Sequence, residues 1–127
     1  MKKEITNTQP QIDTLIDKII NKVIKEYDIF KKDMLLKTSE FIFDNAYKIS
    51  SYTDLLYYFE NDGFAGVIEG YFEYVSKNKD DIQKLEDFSN KDILPTLYEA
   101  HYNYESLYFD LWEDIDIIIK SVIFEVN

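Results

Sequence analysis

The 127-residue sequence predicts a single all-α domain (1–127), a bundle of five or six helices with a long first and a long last helix. Three observations predict this fold. Apolar residues recur every three or four positions along most of the chain, and no segment keeps the period of two that a half-buried strand requires. A chain of this length also buries one core but hardly two.

The first helix has the most regular pattern, because its apolar residues keep helical spacing for about six turns. Pro10 suits a first helical turn, where its missing N–H costs no hydrogen bond. We therefore expect the helix to begin near Pro10 and residues 1–9 to be frayed. Its apolar positions are Ile12, Leu15, Ile16, Ile19, Ile20, Val23, Ile24, Tyr27, Phe30 and Met34.

Two shorter helices are expected next. Thr38 offers a capping hydroxyl for the second helix, and Ser50-Ser51 is expected to break the chain after it. The inward residues of the second helix are predicted to be Ile42, Phe43, Ala46 and Tyr47. The third helix carries Leu55, Leu56, Tyr58 and Phe59 and stops at Asn61-Asp62-Gly63. A hairpin at that tripeptide is rejected, because its flanks do not alternate.

The fourth helix contains two glycines, Gly66 and Gly70, four positions apart. Glycine destabilises a helix by about 1 kcal/mol relative to alanine, and it is tolerated where a neighbouring backbone comes close. The pair therefore predicts close helix packing. A phosphate-binding loop is not indicated, because the required Lys and Ser or Thr do not follow the glycines. The apolar positions of this helix are Phe64, Val67, Ile68, Tyr71, Phe72 and Val75.

A short fifth helix is predicted around Ile82, Leu85 and Phe88, ending at 89–92. A long last helix follows from Leu94 to the C-terminus, with Pro95 in its first turn. Asn103-Tyr104 is the point at which this helix would break or kink.

The charge of the chain restricts its partners. It has 25 acidic residues against 14 lysines, no arginine and a net charge of −11. The charge is uneven: residues 1–37 hold eight lysines and six acids (+2), and residues 38–127 hold six lysines and nineteen acids (−13). This balance argues against direct binding of nucleic acid or of an acidic membrane surface, and it favours a basic protein partner.

Two lysine-free stretches, 49–76 and 98–117, are the candidate binding surfaces. Their acidic residues are Asp54, Glu60, Asp62, Glu69, Glu73, Glu99, Glu105, Asp110, Glu113, Asp114 and Asp116. Clustered carboxylates of this kind can form a solvated face, bind a partner, or hold Mg²⁺ and transfer protons in a cleft. The sequence alone does not decide among these, but it favours the first two.

Catalysis, cofactors and metals are not predicted. His101 is the sole histidine, and its spacing from Tyr98 and Trp112 is typical of an aromatic belt more than of a catalytic base. The Glu-x-x-His pattern of helical di-metal sites is missing, because Tyr98 lies three positions before His101. The chain has no cysteine and no apolar run long enough to span a membrane, so we expect a cytoplasmic protein.

Repeated carboxylates on a helix repel one another, so a chain that keeps them without lysines between them can use that charge. Such carboxylates can imitate the phosphates of a duplex, which suggests a DNA mimic. The eleven tyrosines add a second kind of contact surface, because tyrosine is favoured at interfaces. We expect Tyr52, Tyr57, Tyr74 and Tyr104 to reach the surface.

The chain resembles an uncharacterised family of small helical proteins from phages and conjugative elements of Gram-positive bacteria. The resemblance depends on Glu26-Tyr27-x-x-Phe30, Leu35, Ser39-Glu40, Ile42, Ala46-Tyr47, Thr53-Asp54-Leu55-Leu56 and Phe59-Glu60-Asn61, with weaker matches at 94–98 and 112–116. Residues 63–91 depart from the pattern. Residues 108–126 are also similar to the end of an acidic DNA-mimic family.

The resemblance implies an origin in a mobile element, and small acidic proteins of such elements are often inhibitors of host defence. We therefore expect a non-catalytic inhibitor, of the anti-CRISPR kind, that blocks a basic nucleic-acid-binding protein such as a defence nuclease. The alternative is an immunity protein, an antitoxin or another accessory binding module. Apolar stripes along the first and last helices also suggest a homodimer.

Overall fold

The computed structural model describes residues 2–76, 78–103 and 111–125, and the side chains of 9–76, 78–101 and 115–125. These residues form seven α-helices and one π-helical turn, without a strand. The elements are α1 Lys2–Met34, α2 Ser39–Asp44, α3 Ala46–Glu60, α4 Gly63–Gly70, the π-helical turn Tyr71–Val75, α5 Lys79–Ser89, α6 Ile93–Asn103 and α7 Leu111–Phe124. The all-α class is confirmed, but the predicted number of five or six helices is wrong.

The two long helices differ from their predictions. The expected long last helix is two helices, α6 and α7, and residues 104–110 lie outside the described part of the chain. At the other end α1 begins at Lys2, so Pro10 lies inside the helix and not in its first turn. The Thr14 hydroxyl donates to the Pro10 carbonyl at 2.8 Å. Proline marks a favourable helix start but does not prevent an earlier one when the flanking residues continue the helix.

The joint between α2 and α3 lies at Asn45, and the predicted break at Ser50-Ser51 is wrong because both serines are inside α3. The Asn45 side chain donates to the Phe41 carbonyl at 2.8 Å and so closes α2. The predicted cap is confirmed, since Thr38 Oγ1 accepts from the Phe41 N–H at 3.1 Å. The predicted end of α3 at Asn61-Asp62-Gly63 is also confirmed.

The core forms around α1, which packs against α3, α4, α5 and α6. Aromatic rings join the outer helices: Phe59 of α3 stacks on Phe64 of α4 with centroids 4.5 Å apart, and Tyr71 stacks on Phe124 of α7 at 3.9 Å. The largest described side chains with less than 2% exposure are all apolar: Ile19, Val23, Leu55, Phe59, Phe64, Ile68, Leu85, Phe88, Ile93, Leu94, Leu97 and Ile119. Most of them occupy positions at which the helical spacing predicts an inward side chain.

Three side chains at successive turns of α1 hold the junction between α5 and α6. Lys18 Nζ donates to Asn90 Oδ1 at 3.2 Å, and Lys22 Nζ donates to the Ser89 carbonyl at 3.2 Å, at the C-terminal end of α5. One turn further, the Glu26 carboxylate accepts from two N–H groups at the start of α6, those of Ile93 (2.9 Å) and Leu94 (2.7 Å). Cations therefore meet the negative end of one helix and an anion meets the positive end of the next.

The glycine prediction is wrong for both residues that suggested it. A Cβ built on Gly66 or Gly70 meets no atom of the described residues within 4 Å, so neither glycine allows a close approach within the described part of the chain. The close approach occurs at Gly63, where a Cβ would lie 2.6 Å from two ring carbons of Tyr58. The spacing of Gly66 and Gly70 suggested close packing because a helical repeat can be recognised in a sequence. The contact at Gly63 cannot be recognised in this way, because it depends on the geometry of the turn.

The predicted inward residues of the second helix are also wrong. The residues expected to point inward are exposed, Phe43 by 81% and Tyr47 by 55%, and α2 contains no buried residue. Indeed no residue from Ile24 to Ser50 is buried. The chain therefore builds its core from α1 before Ile24 and from the helices after Ser50, while α2 lies against α3.

Replacement of Glu26 by glutamine should lower the free energy of unfolding by about 1–2 kcal/mol, because the single amide oxygen can accept from only one of the two N–H groups and the negative charge at the start of α6 is lost. Urea denaturation of Glu26→Gln measures the loss. Asp17→Asn removes an exposed carboxylate from the same helix and should change stability by less than about 0.5 kcal/mol. Equal effects of the two substitutions would contradict the capping role.

The glycine contrast predicts opposite effects of the same substitution. Gly66→Ala should stabilise the protein by about 0.5–1 kcal/mol, because alanine favours the helix and its methyl group meets open space. Gly63→Ala should destabilise it, because the methyl group would overlap the Tyr58 ring. Thermal unfolding of the two variants checks the signs, and a stabilising Gly63→Ala would show that the Tyr58 ring is easily displaced.

Candidate binding surface

Seven of the eleven predicted carboxylates belong to side chains that the structure describes, and these seven are spread over α3, α4, the π-helical turn, α6 and α7. Asp62, Glu69 and Glu73 lie on the exposed side of α4 and the π-helical turn, whereas Glu99 lies on α6, which packs mainly against α1, α3 and α7. Asp54 and Glu60 are on α3, and Asp54 is half-buried. Glu105 and Asp110 lie outside the described residues, as do the side chains of Glu113 and Asp114 on α7.

The residues Asp62, Gly66, Glu69, Gly70 and Glu73 form what we call the acidic face. They recur at helical spacing, and the three carboxylates are exposed. Asp62 precedes α4 in a left-handed conformation (φ 67°), at the helix end where a negative charge is favourable. Because both glycines lack side chains and face open space, the backbone of α4 is accessible between the carboxylates.

Two carboxylates of the acidic face, those of Asp62 and Glu69, are not neutralised by the lysines that the structure describes. None of the lysines that the structure describes lies within ion-pair distance of Asp62 or Glu69. The ion pairs Lys32–Asp28 (2.9 Å), Lys37–Asp33 (3.7 Å) and Lys84–Asp81 (3.7 Å) lie on α1, its following loop and α5. A neighbouring molecule that carries positive charge would therefore meet exposed carboxylates here.

Asp116 has a different role from the other predicted carboxylates. Its Oδ1 accepts a hydrogen bond from the hydroxyl of Tyr58, which is a buried residue of α3. The same Tyr58 ring lies against Gly63. Tyr58 therefore connects the start of α4 with α7, and Asp116 fastens this connection at the α7 side.

Burial raises the pKa of the Tyr58 phenol above its usual range, and the hydrogen bond to Asp116 and the charge of that carboxylate raise it further. Burial also raises the pKa of Tyr52 to about 12, with smaller contributions from Glu26 and Tyr98. Both phenols stay neutral in ordinary buffers, where Tyr58 acts as a hydrogen-bond donor.

The four tyrosines that were predicted to reach the surface have different outcomes. The prediction is wrong for Tyr52, which is 4% exposed, whereas Tyr57 and Tyr74 are exposed as predicted. Tyr104 lies outside the described residues.

His101 is a buried member of an aromatic cluster, as its spacing predicts. Its Nε2 lies 2.8 Å from the Tyr47 hydroxyl, and the two rings are nearly parallel at 6.3 Å. Tyr98 approaches Tyr47 and Tyr52 with ring centroids 6.2 Å and 5.7 Å apart. The histidine thus joins α3 to α6 by a hydrogen bond and ring contacts.

A buried polar cluster at the start of α5 was missed by the sequence reasoning. The carboxylate of Asp81 accepts from the Ser76 hydroxyl and from the Tyr71 hydroxyl, the latter at 3.4 Å, while Lys84 lies 3.7 Å away. Burial raises the pKa of Tyr71, and Asp81 adds to the shift. Sequence spacing does not predict the cluster, because the three residues are brought together by the π-helical turn. The Ser76 N–H closes this turn by donating to the Tyr71 carbonyl at 2.8 Å.

This cluster has the chemistry of a structural joint. A serine nucleophile needs a base that can take its proton and pass it on, usually a histidine. The sole histidine, His101, is bonded to Tyr47 and lies on another helix. We therefore assign Asp81 to fastening the π-helical turn onto α5.

Within the residues described, no three acidic or histidine side chains are grouped so that they could hold a metal ion. None of the described helices is both long enough and apolar enough to cross a membrane. Comparison of the chain with protein-family models, with curated proteins and with solved structures gives no match. The resemblance to proteins of mobile elements therefore stays a prediction.

The raised phenol pKa values predict a stability loss at alkaline pH. A folded state that holds the phenol proton more tightly than the unfolded chain is most stable below pH about 10, the ordinary tyrosine pKa. Its stability should fall as the pH rises from there, through the pKa of about 12 for Tyr52. Each such phenol contributes at most about 1.4 kcal/mol per pH unit.

Urea unfolding at several pH values above neutrality measures this slope. Tyr58→Phe should make the slope shallower by removing one shifted phenol, whereas Tyr74→Phe, at an exposed position, should leave it unchanged. A slope that is identical in all three proteins would contradict the assigned environment of Tyr58.

Proposed function

We propose that this chain is a non-catalytic binding protein whose acidic face occupies a lysine- and arginine-lined groove of a basic, nucleic-acid-binding protein, and inhibits that protein by excluding its nucleic acid. The observation that carries the proposal is the acidic face itself. It keeps like charges at helical spacing, with Asp62 and Glu69 unpaired by any described lysine. Such an arrangement is mildly destabilising for an isolated chain.

The spacing of the carboxylates suits a phosphate-binding groove. With a rise of about 1.5 Å per helical residue, Asp62 and Glu69 are about 10 Å apart along the axis, and Glu69 and Glu73 about 6 Å. Phosphates of one duplex strand rise about 3.4 Å each along the duplex axis. The carboxylates on one side of α4 form a comparable row of negative charges, which the lysines and arginines of a phosphate-binding groove can meet.

The two glycines support the same proposal. Each destabilises α4 by about 1 kcal/mol relative to alanine, and neither is needed for a contact within the described chain. An uncovered helix backbone between carboxylates lets a long arginine or lysine side chain lie flat against α4. The resemblance to mobile-element proteins favours a host defence nuclease as the target, with an immunity or antitoxin protein as the alternative.

The test compares two triple variants with the same total charge. Asp62→Asn/Glu69→Gln/Glu73→Gln neutralises the acidic face, and Asp13→Asn/Asp17→Asn/Asp87→Asn neutralises three exposed carboxylates on α1 and α5. Each changes the net charge from −11 to −8, because three negative charges are removed. The tagged proteins are incubated with a Gram-positive lysate at low and moderate salt, and captured proteins are identified by mass spectrometry.

We expect the wild type and the α1–α5 variant to capture a basic nucleic-acid-binding protein at low salt, and the acidic-face variant to lose it. Capture should weaken steeply with salt, because the interaction is between charges. The purified target should also release labelled DNA or RNA when the wild type is added. Capture that is equal for both variants, or that resists salt, would refute the charge-mimic proposal.

A further inference from the structure

A second surface of the molecule is apolar and lies apart from the acidic face. Seven of the twelve large apolar side chains that are exposed in the described chain fall between residues 29 and 47. We call them the corner patch, because they cover the corner where α1 turns into α2. The corner patch consists of Ile29, Leu35, Leu36, Phe41, Ile42, Phe43 and Tyr47.

α2, which lies at the centre of this patch, is well formed although none of its residues is buried. It is capped at both ends, by Thr38 and by Asn45, and Lys37 lies over the Phe41 ring at 5.4 Å. Leu36 is 85% and Phe43 81% exposed, whereas Phe41 (40%) and Ile42 (36%) are partly covered. An amphipathic helix normally gains most of its stability by packing its apolar face, and α2 obtains only part of this from the described residues.

The size of the corner patch suits an interface between proteins. With accessible areas of about 150–250 Å² for an aromatic side chain and the observed exposed fractions, the seven side chains expose about 800 Å². The largest apolar patch of a typical monomer is about 300–600 Å², whereas a specific interface buries about 800 Å² on each partner. Taken together, the exposed areas of the seven side chains reach the area that one partner buries in a stable complex.

The charge of this segment identifies the partner. Residues 29–47 contain three lysines (Lys31, Lys32, Lys37) and three acids (Asp33, Glu40, Asp44), so their net charge is zero while the other residues carry −11. A basic partner gains no attraction here, and an acidic partner meets no complementary field. A second copy of the chain meets an apolar surface and both signs of charge, and this segment is where two copies repel each other least.

From these observations we infer that the chain forms a two-fold symmetric homodimer through the corner patch. In such an isologous contact each patch is its own complement, so Leu36 and Phe43 of one copy meet the same set of residues on the other. The acidic face lies on α4 and the π-helical turn, outside the patch, so the dimer would present two acidic faces. The inference stands independently of the proposed function, because it uses different residues and a different force.

Light scattering coupled to size-exclusion chromatography measures the mass of the protein in solution. Interfaces of this size have dissociation constants of about 1 µM or tighter, so at about 100 µM the wild type should show twice the 15.2 kDa chain mass. Leu36→Asp/Phe43→Asp should be monomeric, since it places four charges in the dimer contact. It should keep the wild-type helix content by circular dichroism, because neither residue is buried.

Tyr74→Asp/Val75→Asp is the matched control, because it adds the same two charges per chain at exposed apolar positions outside the patch. This control should remain dimeric. Dimerisation should strengthen with salt, because salt screens the repulsion between two acidic chains. The capture of a basic target should weaken under the same conditions, so failure of one proposal is distinguishable from failure of the other.

The absence of cysteine allows a second, direct test. Phe43→Cys should form a disulfide-linked dimer under mild oxidation at low protein concentration, whereas Tyr74→Cys should not. A wild type that is monomeric at about 100 µM would overturn the inference. Binding of an apolar dye to the corner patch of such a monomer would not rescue it, because the patch would then serve a different partner. Dimers that persist in Leu36→Asp/Phe43→Asp would overturn it as well.

Discussion

The fold depends on the contact that α1 makes with the ends of two other helices. Lys18 and Lys22 meet the end of α5, and Glu26 binds the first N–H groups of α6. Helix ends carry unsatisfied backbone groups, and burying them without partners would be destabilising. Because one helix supplies partners for both ends, the direction of α5 and α6 relative to α1 is fixed by hydrogen bonds as well as by the apolar core. The positions of α3 and α7, which pack on the elements so oriented, follow from that arrangement.

Two kinds of surface remain outside this framework, and they differ in charge and in polarity. The acidic face is charged because Asp62, Glu69 and Glu73 repeat along α4 and the π-helical turn with no lysine between them in the sequence. The corner patch is apolar because the end of α1 continues beyond Phe30, its last aromatic contact with the core, and because α2 has no buried residue. A protein whose only need was to be soluble would have little reason to keep either. Under the two proposals, the molecule meets a basic protein by charge at the acidic face and a second copy of itself by apolar contact at the corner patch.

Helical spacing predicts the fold class, the buried positions on α1, α3 and α5, the Thr38 cap and the stop at Asn61-Asp62-Gly63, because these depend on neighbours in the chain. It failed where distant contacts decide. Ile42 and Phe43 have the spacing of an inward face, but the contact of α2 with α3 buries neither of them. The Glu26 cap joins residues 67 positions apart, which no local pattern reveals. The sequence predicts the acidic face only in part. It shows which stretches lack lysine, but it does not show that Asp116 accepts a hydrogen bond from Tyr58.

The lack of any buried side chain between Ile24 and Ser50 gives one continuous helix two different stabilities. The turns of α1 around Ile19 and Val23 can open only when the whole core opens, so their amide protons exchange with solvent at the rate of global unfolding. The last turn of α1, after Phe30, has no buried side chain and exchanges through local opening. A boundary in amide protection therefore falls inside α1 near Phe30, whose ring makes the last aromatic contact of the helix with the core. If two copies meet at the corner patch, the amide protons in the last turn of α1 become more protected as the protein concentration rises. The protection of the amide protons around Ile19 and Val23 then does not change with concentration.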